Sequence, residues 1–195
     1  MRKTTLGFGL VMGLVSAGLG EARAEQKPVA ASAPAGPPRP APELARLQPL
    51  AGSWTCQGTS PAGAMGPGAP EMKYHSTFKV TATANGFGWT LAYDQAKSKT
   101  HPLHFAGYWT AAWDSAEKRL TFFWVDNVGN VGIQSGGDWT GDDYVISGEG
   151  SGMAGRASVR DTLTRKGPNG LHWKGELKPA GATAWMTLGE DDCKR

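Results

Sequence analysis

The sequence predicts an all-β fold, an antiparallel up-and-down β-barrel of about ten strands with a short N-terminal helical turn. From Ser53 onward, apolar residues recur at every second position, which is the period of a strand with one buried face. Turn-forming residues interrupt this pattern at short intervals, and short connections favour a meander. Two cysteines, Cys56 and Cys193, stand near the ends of this region. If they are bonded, the first and last strands are neighbours and the meander closes into a barrel.

The first residues have the pattern of a secretory signal peptide. Arg2 and Lys3 precede an apolar run over 6–19, and small residues before Ala24 mark a cleavage site. The apolar run is shorter than the roughly 20 residues that a membrane span requires. We therefore expect residues 1–24 to be removed near Ala24 and the chain to be exported, to the periplasm or beyond the cell, as a protein that does not span the membrane.

Residues 25–43 are rich in proline and alanine and contain no aromatic side chain, so we predict a disordered spacer before a barrel domain over 44–195. Removing the leader takes away three basic residues and one acidic residue, and the net charge falls from +3 to about +1. No run of lysine or arginine remains that could neutralise a row of phosphates. Nucleic acid is therefore excluded as an expected partner, and we expect a monomer.

The lead-in "PELARLQPL" is the only segment after the leader with helical character. Leu44, Leu47 and Leu50 recur at a spacing of three, which is typical of a short helix or 3₁₀ turn. We expect this segment to cap one end of the sheet.

Two strands follow with a clear alternation of faces. In "MKYHSTFKV" the residues Met72, Tyr74, Phe78 and Val80 share one face. In "FGWTLAYD" the residues Phe87, Trp89, Leu91 and Tyr93 share one face. The intervening Asn85-Gly86 is typical of a type I′ hairpin, which predicts antiparallel pairing. Later strands are predicted in "SVRDTLTR", "LHWKGEL" and "TAWMTL".

The cysteine pair predicts a disulfide rather than a metal or catalytic site, because the chain is expected to reach an oxidising compartment. The bridge would enclose nearly the whole domain and would stabilise it by about 4.7 kcal/mol at most in the chain-entropy model.

The segment "LAGSWTCQG", with Gly52 and Trp54, resembles the opening of lipocalin-like (calycin-like) barrels, in which a helical turn leads into the first strand and its tryptophan plugs the closed end. Together with "GFGWTLAYD", "GYWTAAWD" and "FFWVDNVGN", residues 44–189 resemble an uncharacterised family of secreted bacterial proteins, the DUF1579 type. The resemblance implies a barrel fold and no established activity. It also implies a basic side chain over Trp54, for which Lys194, Arg195 and Arg165 are the candidates.

Barrels of this size either fill their interior with side chains or hold one small ligand. The alternation of faces groups the aromatic residues, and the candidate ligand-binding residues are Trp89, Tyr93, Trp109, Phe122, Trp124 and Asp126. The alternative is that these rings pack as a dry core, which is the more common role for any single tryptophan. The alternation of large and small residues in "GYWTAAW" also favours a filled barrel.

The stretch "RLTFFWVDNVGN" runs from aromatic residues into Asp126 and Asn127. The favoured interpretation is a turn held by their side chains, because Asx side chains bond the backbone that follows them. In the alternative, Asp126 shares its face with Trp124 and orients a ligand at the barrel rim.

No catalytic or metal-binding arrangement is identifiable by spacing. His101 and His104 could form a metal clip only if the segment were helical, which Pro102 disfavours, and haem ligation would require His104 or inverted faces. Ser135 and Ser151 lie outside any nucleophile motif. Asp161 shares a face with Val159 and Leu163, so if it points inward we expect an arginine to pair with it. We expect no metal and no cofactor.

Three functions remain, in this order. The first is an exported barrel that binds a small apolar or amphiphilic molecule in an aromatic-lined interior. The second is a ligand-free structural or interaction protein of the cell envelope with a filled barrel. The third is an enzyme acting on a small molecule, which would need a cluster of polar residues from strands distant in sequence.

Overall fold

A computed structural model describes residues 36–99, 101–153 and 155–195 and shows ten antiparallel strands in a closed barrel. Each strand pairs with the next along the chain, and the first pairs with the last. The strands are β1 (Gly52–Ser60), β2 (Met72–Thr83), β3 (Gly88–Gln95), β4 (Phe105–Asp114), β5 (Arg119–Asp126), β6 (Val131–Gly136), β7 (Asp143–Gly152), β8 (Gly155–Arg165), β9 (Gly170–Pro179) and β10 (Met186–Lys194). The all-β prediction and the strand number are thus confirmed. The predicted signal peptide and nearly all of the predicted spacer lie outside the described residues.

The disulfide prediction is confirmed, and its position explains the closure. Cys56 on β1 lies directly opposite Cys193 on β10, and their sulfurs are bonded with the Cα atoms 4.0 Å apart. Both side chains are buried. Because β1 and β10 also form a ladder of backbone hydrogen bonds, the sheet has no free edge at this seam.

A 3₁₀ helix over Pro42–Leu50 covers the end of the barrel where β1 begins, which we call the closed end. Leu44, Leu47 and Leu50 are buried beneath it, as the spacing of three predicts. Two indole groups fix the helix from below, since Trp54 Nε1 donates to the Leu50 carbonyl and Trp89 Nε1 donates to the Leu44 carbonyl. The helix is thereby attached to both β1 and β3.

Arg195 is the basic residue that covers the opening tryptophan. Its guanidinium lies 4.3 Å from the centre of the Trp54 ring, and its Nη2 donates to the Pro49 carbonyl. Arg165 instead lies over Trp139. Of the three candidates from the sequence, Arg195 therefore supplies the cation over Trp54.

The β2–β3 connection differs from the expected two-residue hairpin. Thr83 pairs with Gly88, so four residues connect the strands, and three of them form a short 3₁₀ turn, Ala84–Gly86. Asn85 and Gly86 do adopt positive φ, at 55° and 91°, as the sequence signal implies. The loop is longer because Ala84 also takes positive φ, which places Phe87 outside the ladder.

The last strand also differs from its prediction. The "TAWMTL" segment enters β10 only at Met186, and the strand continues through the acidic "GEDDCK" to Lys194. Asp191 lies inward among these residues while Glu190 and Asp192 lie outward, so a charged segment still follows the period-two rule. Within the part of the chain that is described, no helix has the length and apolar character needed to cross a bilayer.

Candidate functional site

The barrel interior is divided along its axis, and the half beneath the 3₁₀ helix is an apolar core. Trp109 stacks on Phe122 with ring centres 4.3 Å apart, and Trp89 is held by its bond to Leu44. All three rings are buried. The structure thus places Trp89, Trp109 and Phe122, three of the candidate ligand-binding residues, in the packed alternative, because the helix closes this end over them. We leave them out of the proposed site.

The opposite half, which we call the open half, contains polar side chains that point inward. On one wall, Asp191 of β10 accepts a hydrogen bond from Ser76 Oγ of β2 at 3.5 Å, and Tyr74 lies beside it. Asp191 Oδ1 is buried and has no hydrogen-bond partner of normal geometry among the described residues. Asp191 is 2% exposed, which is unusual for a carboxylate without a cationic partner.

The same wall is continued by Gln95 and His101. Gln95 Nε2 lies 2.8 Å from His101 Nδ1, and the Tyr93 hydroxyl donates to Gln95 Oε1 at 3.3 Å. The imidazole meets the edge of the Tyr74 ring, with ring centres 5.8 Å apart. His101 comes from the β3–β4 connection, so this loop folds into the barrel mouth on the side of β2 and β3.

Asp161 of β8 is the second inward carboxylate, and its partners differ from the expected one. Gln134 Nε2 donates to Oδ2 at 2.5 Å, and Trp173 Nε1 donates to Oδ1 at 2.9 Å. The expected arginine pair is therefore wrong. Arg160 points outward, where it bonds Glu176 and lies over Trp185. A carboxamide and an indole supply hydrogen bonds to Asp161 without a compensating charge.

Inward glycines determine how the rings of the open half lie. A Cβ at Gly107 would collide with the Trp124 ring, and a Cβ at Gly175 would collide with the Trp173 ring. Both indoles therefore lie along the wall instead of projecting across the barrel. Opposite Trp124, the inward positions of β6 and β7 are glycines, which extend no side chain into the lumen: Gly132, Gly148 and Gly150.

Several inward side chains of the open half remain partly exposed. Tyr93, Trp124 and Trp173 point inward yet are only partly buried, and so is Asp161. The rings of Tyr93, Phe105 and Trp124 follow one another around the wall, with centres 5.8 Å and 6.2 Å apart. The inner wall of the open half thus combines an aromatic side with a carboxylate.

Burial shifts the pKa values of these groups in a consistent direction. Desolvation raises the pKa of Asp191 to about 6, although the Tyr74 and Ser76 hydroxyls act against it. Desolvation also raises the pKa of Asp161, against the hydrogen bonds from Gln134 and Trp173. The pKa of Tyr93 is raised by desolvation and by the charge of Asp191. The open half therefore favours neutral acids and lacks compensating positive charge.

We expect the free energy of unfolding to fall by about 3 kcal/mol between pH 4 and pH 6 because of Asp191. Across this window the unfolded chain releases the Asp191 proton at the ordinary pKa, whereas the folded chain retains it up to about pH 6. Ionisation above that pH therefore costs the folded state stability. Urea titrations at several pH values would show a smaller decrease in Asp191→Asn. The exposed Asp192→Asn is the matched control; equal slopes in both variants would contradict the assignment.

Asp126 serves the β5–β6 turn. It accepts hydrogen bonds from four donors, namely the Val128 and Asn130 amides, Asn130 Nδ2 and Trp124 Nε1. Asn127 points the other way and bonds Ala106 N and the His104 carbonyl. These contacts support the turn interpretation for Asp126, whereas the Asn127 side chain ties the turn to the start of β4 instead of bonding the backbone that follows it. Asp126 also fixes the Trp124 ring at the edge of the lumen.

Asp126→Ala is expected to lower the free energy of unfolding by about 2–3 kcal/mol, because four donors lose a charged acceptor. Chemical denaturation would measure this. Asp126→Asn, which keeps the shape and one carbonyl acceptor, should lose less. If Asp126 instead orients a ligand, the alanine variant would change ligand-induced quenching of tryptophan fluorescence while leaving stability nearly unchanged.

The histidines do not converge. His104 bonds Asp94 on the outer surface at 2.7 Å, and His172 bonds the exposed Asp192 at 2.9 Å, whereas His101 is buried inside. The metal clip of His101 and His104 is therefore contradicted, because the loop turns the two side chains to opposite sides of the wall. In the described ranges, no group of three or more histidine, cysteine or acidic residues is arranged to hold a metal ion.

Two clefts lie away from the polar interior. One, of about 360 Å³, runs over the outer surface of β1–β4 beside Lys79 and Tyr108. The other, of about 400 Å³, lies at the closed end between Arg165 and Arg195. Both clefts are partly open to solvent, and the two guanidinium groups of the second are already engaged with aromatic rings and carbonyl oxygens.

Several residues of the open half carry no motif in the sequence. Gln134 on β6, His101 in the β3–β4 connection and Asp191 on β10 are all buried inside the barrel. The sequence signal that could have found them is the alternation of inward and outward residues along a strand. Asp191 is two residues from the inward Cys193, and Gln134 lies between the inward Gly132 and Gly136. Tyr93 and Trp124, both candidates from the sequence, are on the inward face and are partly buried against the core.

The fold and the interior define the class of protein: a closed ten-stranded antiparallel barrel, capped by a 3₁₀ helix and polar in the half away from that cap. The chain belongs to the family described as Protein of unknown function (DUF1579), whose model matches residues 39–195. No curated protein matches the chain. Among solved structures, the chain is similar to the crystal structure of Rv2717c from M. tuberculosis, with a TM-score of 0.61 and 15% identity over 80% of this chain and 99% of that one. At this identity the likeness shows the fold alone.

Proposed function

We propose that this protein binds a small apolar or amphiphilic molecule in the open half of its barrel. The observation that supports this most directly is that two inward tryptophans far from the helical cap are only partly covered. Inward rings of the closed half, such as Phe122, are fully buried, whereas the inward Trp124 and Trp173 of the open half are only partly covered. Partly exposed rings facing a common lumen are the usual lining of a small-molecule site.

The shape of the lining is consistent with this role. Gly132 and Gly150 leave the β6–β7 wall without side chains, while Tyr93, Phe105 and Trp124 supply flat apolar surface along the adjoining wall of β3–β5. Asp161 supplies a polar group that could orient a ligand. A molecule with one flat apolar part and one polar group fits this combination.

Native mass spectrometry of gently purified protein, combined with quenching of tryptophan fluorescence by a panel of lipophilic compounds, tests the proposal. Trp124 and Trp173 line the lumen, so occupation of the lumen should quench or shift their emission. A bound mass, or saturable quenching by one or more compounds, is expected. No adduct and no saturable quenching across the panel would contradict the proposal.

The second candidate function is a ligand-free interaction protein with a filled barrel. Exposed apolar side chains on the outer surface of β4–β6 favour it. Tyr108, Phe123 and Ile133 are 62%, 49% and 62% exposed, and Val125 and Val131 lie between them in register. Such a patch is often an interface. If two copies meet there, sedimentation velocity should show self-association that the double variant Phe123→Ser/Ile133→Ser abolishes. A concentration-independent monomer in both proteins would count against this candidate.

A further inference from the structure

We propose that the ligand of the open half is an organic cation, a small molecule that joins a flat apolar body to a protonated amine, and that the carboxylate of Asp161 receives the amine. This inference rests on the proposed ligand-binding function and adds the chemical class of the ligand. It is supported by the charges that face the lumen, by unused acceptor capacity on two buried carboxylates, and by the aromatic wall.

Among the described residues, acidic groups face the lumen of the open half and no lysine or arginine does. Asp161 and Asp191 point inward, while the basic residues of the described strands occupy outward positions, with Arg165 at the closed end as the exception. These outward residues are Lys73, Lys79, Arg119, Arg156, Arg160, Lys174, Lys178 and Lys194. A fatty acid or another carboxylate ligand would therefore lose its hydration in the lumen without gaining a lysine or arginine as counterion, which is unfavourable away from water.

Acceptor capacity remains on both carboxylates. Asp161 accepts one hydrogen bond on each oxygen, from Gln134 and from Trp173, and a carboxylate oxygen can accept a further one. Asp191 is 2% exposed, and its Oδ1 has no partner of normal geometry within the described part of the chain. A bound ammonium group would provide the missing donors and positive charge together.

The aromatic wall complements a cation with an apolar body. Trp124 and Phe105 stack with centres 6.2 Å apart, and Trp173 is fixed by its bond to Asp161, so one ring lies directly beside the carboxylate. Ring faces attract cations, tryptophan most strongly. His101, the titratable base inside the mouth, lies against Tyr74 and Gln95 on the β2–β3 side, away from β8.

Three ligands of nearly equal size and different charge test this proposal: 2-phenylethylamine, 2-phenylethanol and phenylacetate. Calorimetric titration of each into the full-length mature chain at pH 7.5 is expected to give the amine an affinity at least about tenfold above the alcohol, and the carboxylate the weakest. Equal affinity for amine and alcohol, or a preference for phenylacetate, would overturn the inference.

Asp161→Asn keeps the shape of the side chain and should reduce the amine's affinity to within about twofold of the alcohol's, with the alcohol's own affinity unchanged. Asp192→Asn, an exposed outward residue next to Asp191, removes the same charge outside the lumen and should leave the preference intact. A preference for the amine that persists in Asp161→Asn would overturn the role of Asp161.

If neither these three ligands nor the lipophilic panel binds, the proposed function itself fails. If neutral lipophiles bind without preference for the amine, only this inference fails.

Discussion

Gly132→Phe is expected to abolish ligand binding in the open half while the barrel remains folded. Gly132 faces the lumen between Trp124 on β5 and Gly150 on β7, and its φ is not in the left-handed region. A Cβ there would meet its nearest neighbours at 3.5–4.0 Å, which is ordinary van der Waals contact. The backbone therefore accepts a side chain, and a phenyl ring would project into the space assigned to the ligand.

The adjacent outward residue provides the matched control. Ile133→Phe adds an aromatic ring one position further along β6, on the outer surface, where Ile133 is 62% exposed. Titration of a ligand found in the lipophilic panel should show no binding to Gly132→Phe and normal binding to Ile133→Phe. A series from Gly132→Ala through Gly132→Leu to Gly132→Phe should lose affinity with increasing side-chain volume. Unchanged affinity across a folded series would contradict the location of the site.

Removing the disulfide is expected to lower the free energy of unfolding by about 2–5 kcal/mol. The bridge joins residues 137 apart in sequence, so it restricts nearly the whole unfolded domain. The double variant Cys56→Ala/Cys193→Ala also removes buried sulfurs, and packing loss adds to its effect. Urea denaturation of the variant against the oxidised chain measures the difference.

A single variant separates the bridge from the packing. Cys56→Ala retains one of the two sulfurs and, because the chain has no other cysteine, cannot form a replacement bridge. Reduction of the unmodified chain with a thiol removes the bond and leaves both sulfurs. All three treatments should destabilise the barrel, reduction the least and the double variant the most, and the difference between them measures the packing of the sulfurs. A reduced chain as stable as the oxidised one would contradict a stabilising role for the bridge.

The sequence predicted the fold because the signals of a closed meander are local. Period two placed Trp89, Trp109 and Phe122 on their correct face, and the spacing of the leucines predicted the capping helix. The two cysteines added the one long-range contact that closes the sheet. Gly52 and Trp54 indicated the closed end, although the cation over Trp54 could be chosen only when the position of Arg195 was known.

The candidate site was less accessible from the sequence because its contacts join distant strands. Asp161 meets Gln134 from 27 residues away, and Ser76 meets Asp191 from 115 residues away. The alternation of side chains along β8 could assign Asp161 to one face of the sheet, but no spacing rule identifies its hydrogen-bond partner on a distant strand. The same pattern could not separate the packed half from the open half, since Trp109 and Trp124 face inward alike and differ only in distance from the helical cap.

The central claim is that the open half of the barrel is a ligand site and the closed half is a core. A crystal structure of the protein, purified without denaturation, tests it most directly. We expect a lumen bounded by Trp124, Asp161 and Trp173, either occupied by a bound molecule or empty with a volume of at least about 300 Å³. A lumen filled by side chains of the wall and of the 96–104 connection, with no space of ligand size, would contradict the claim.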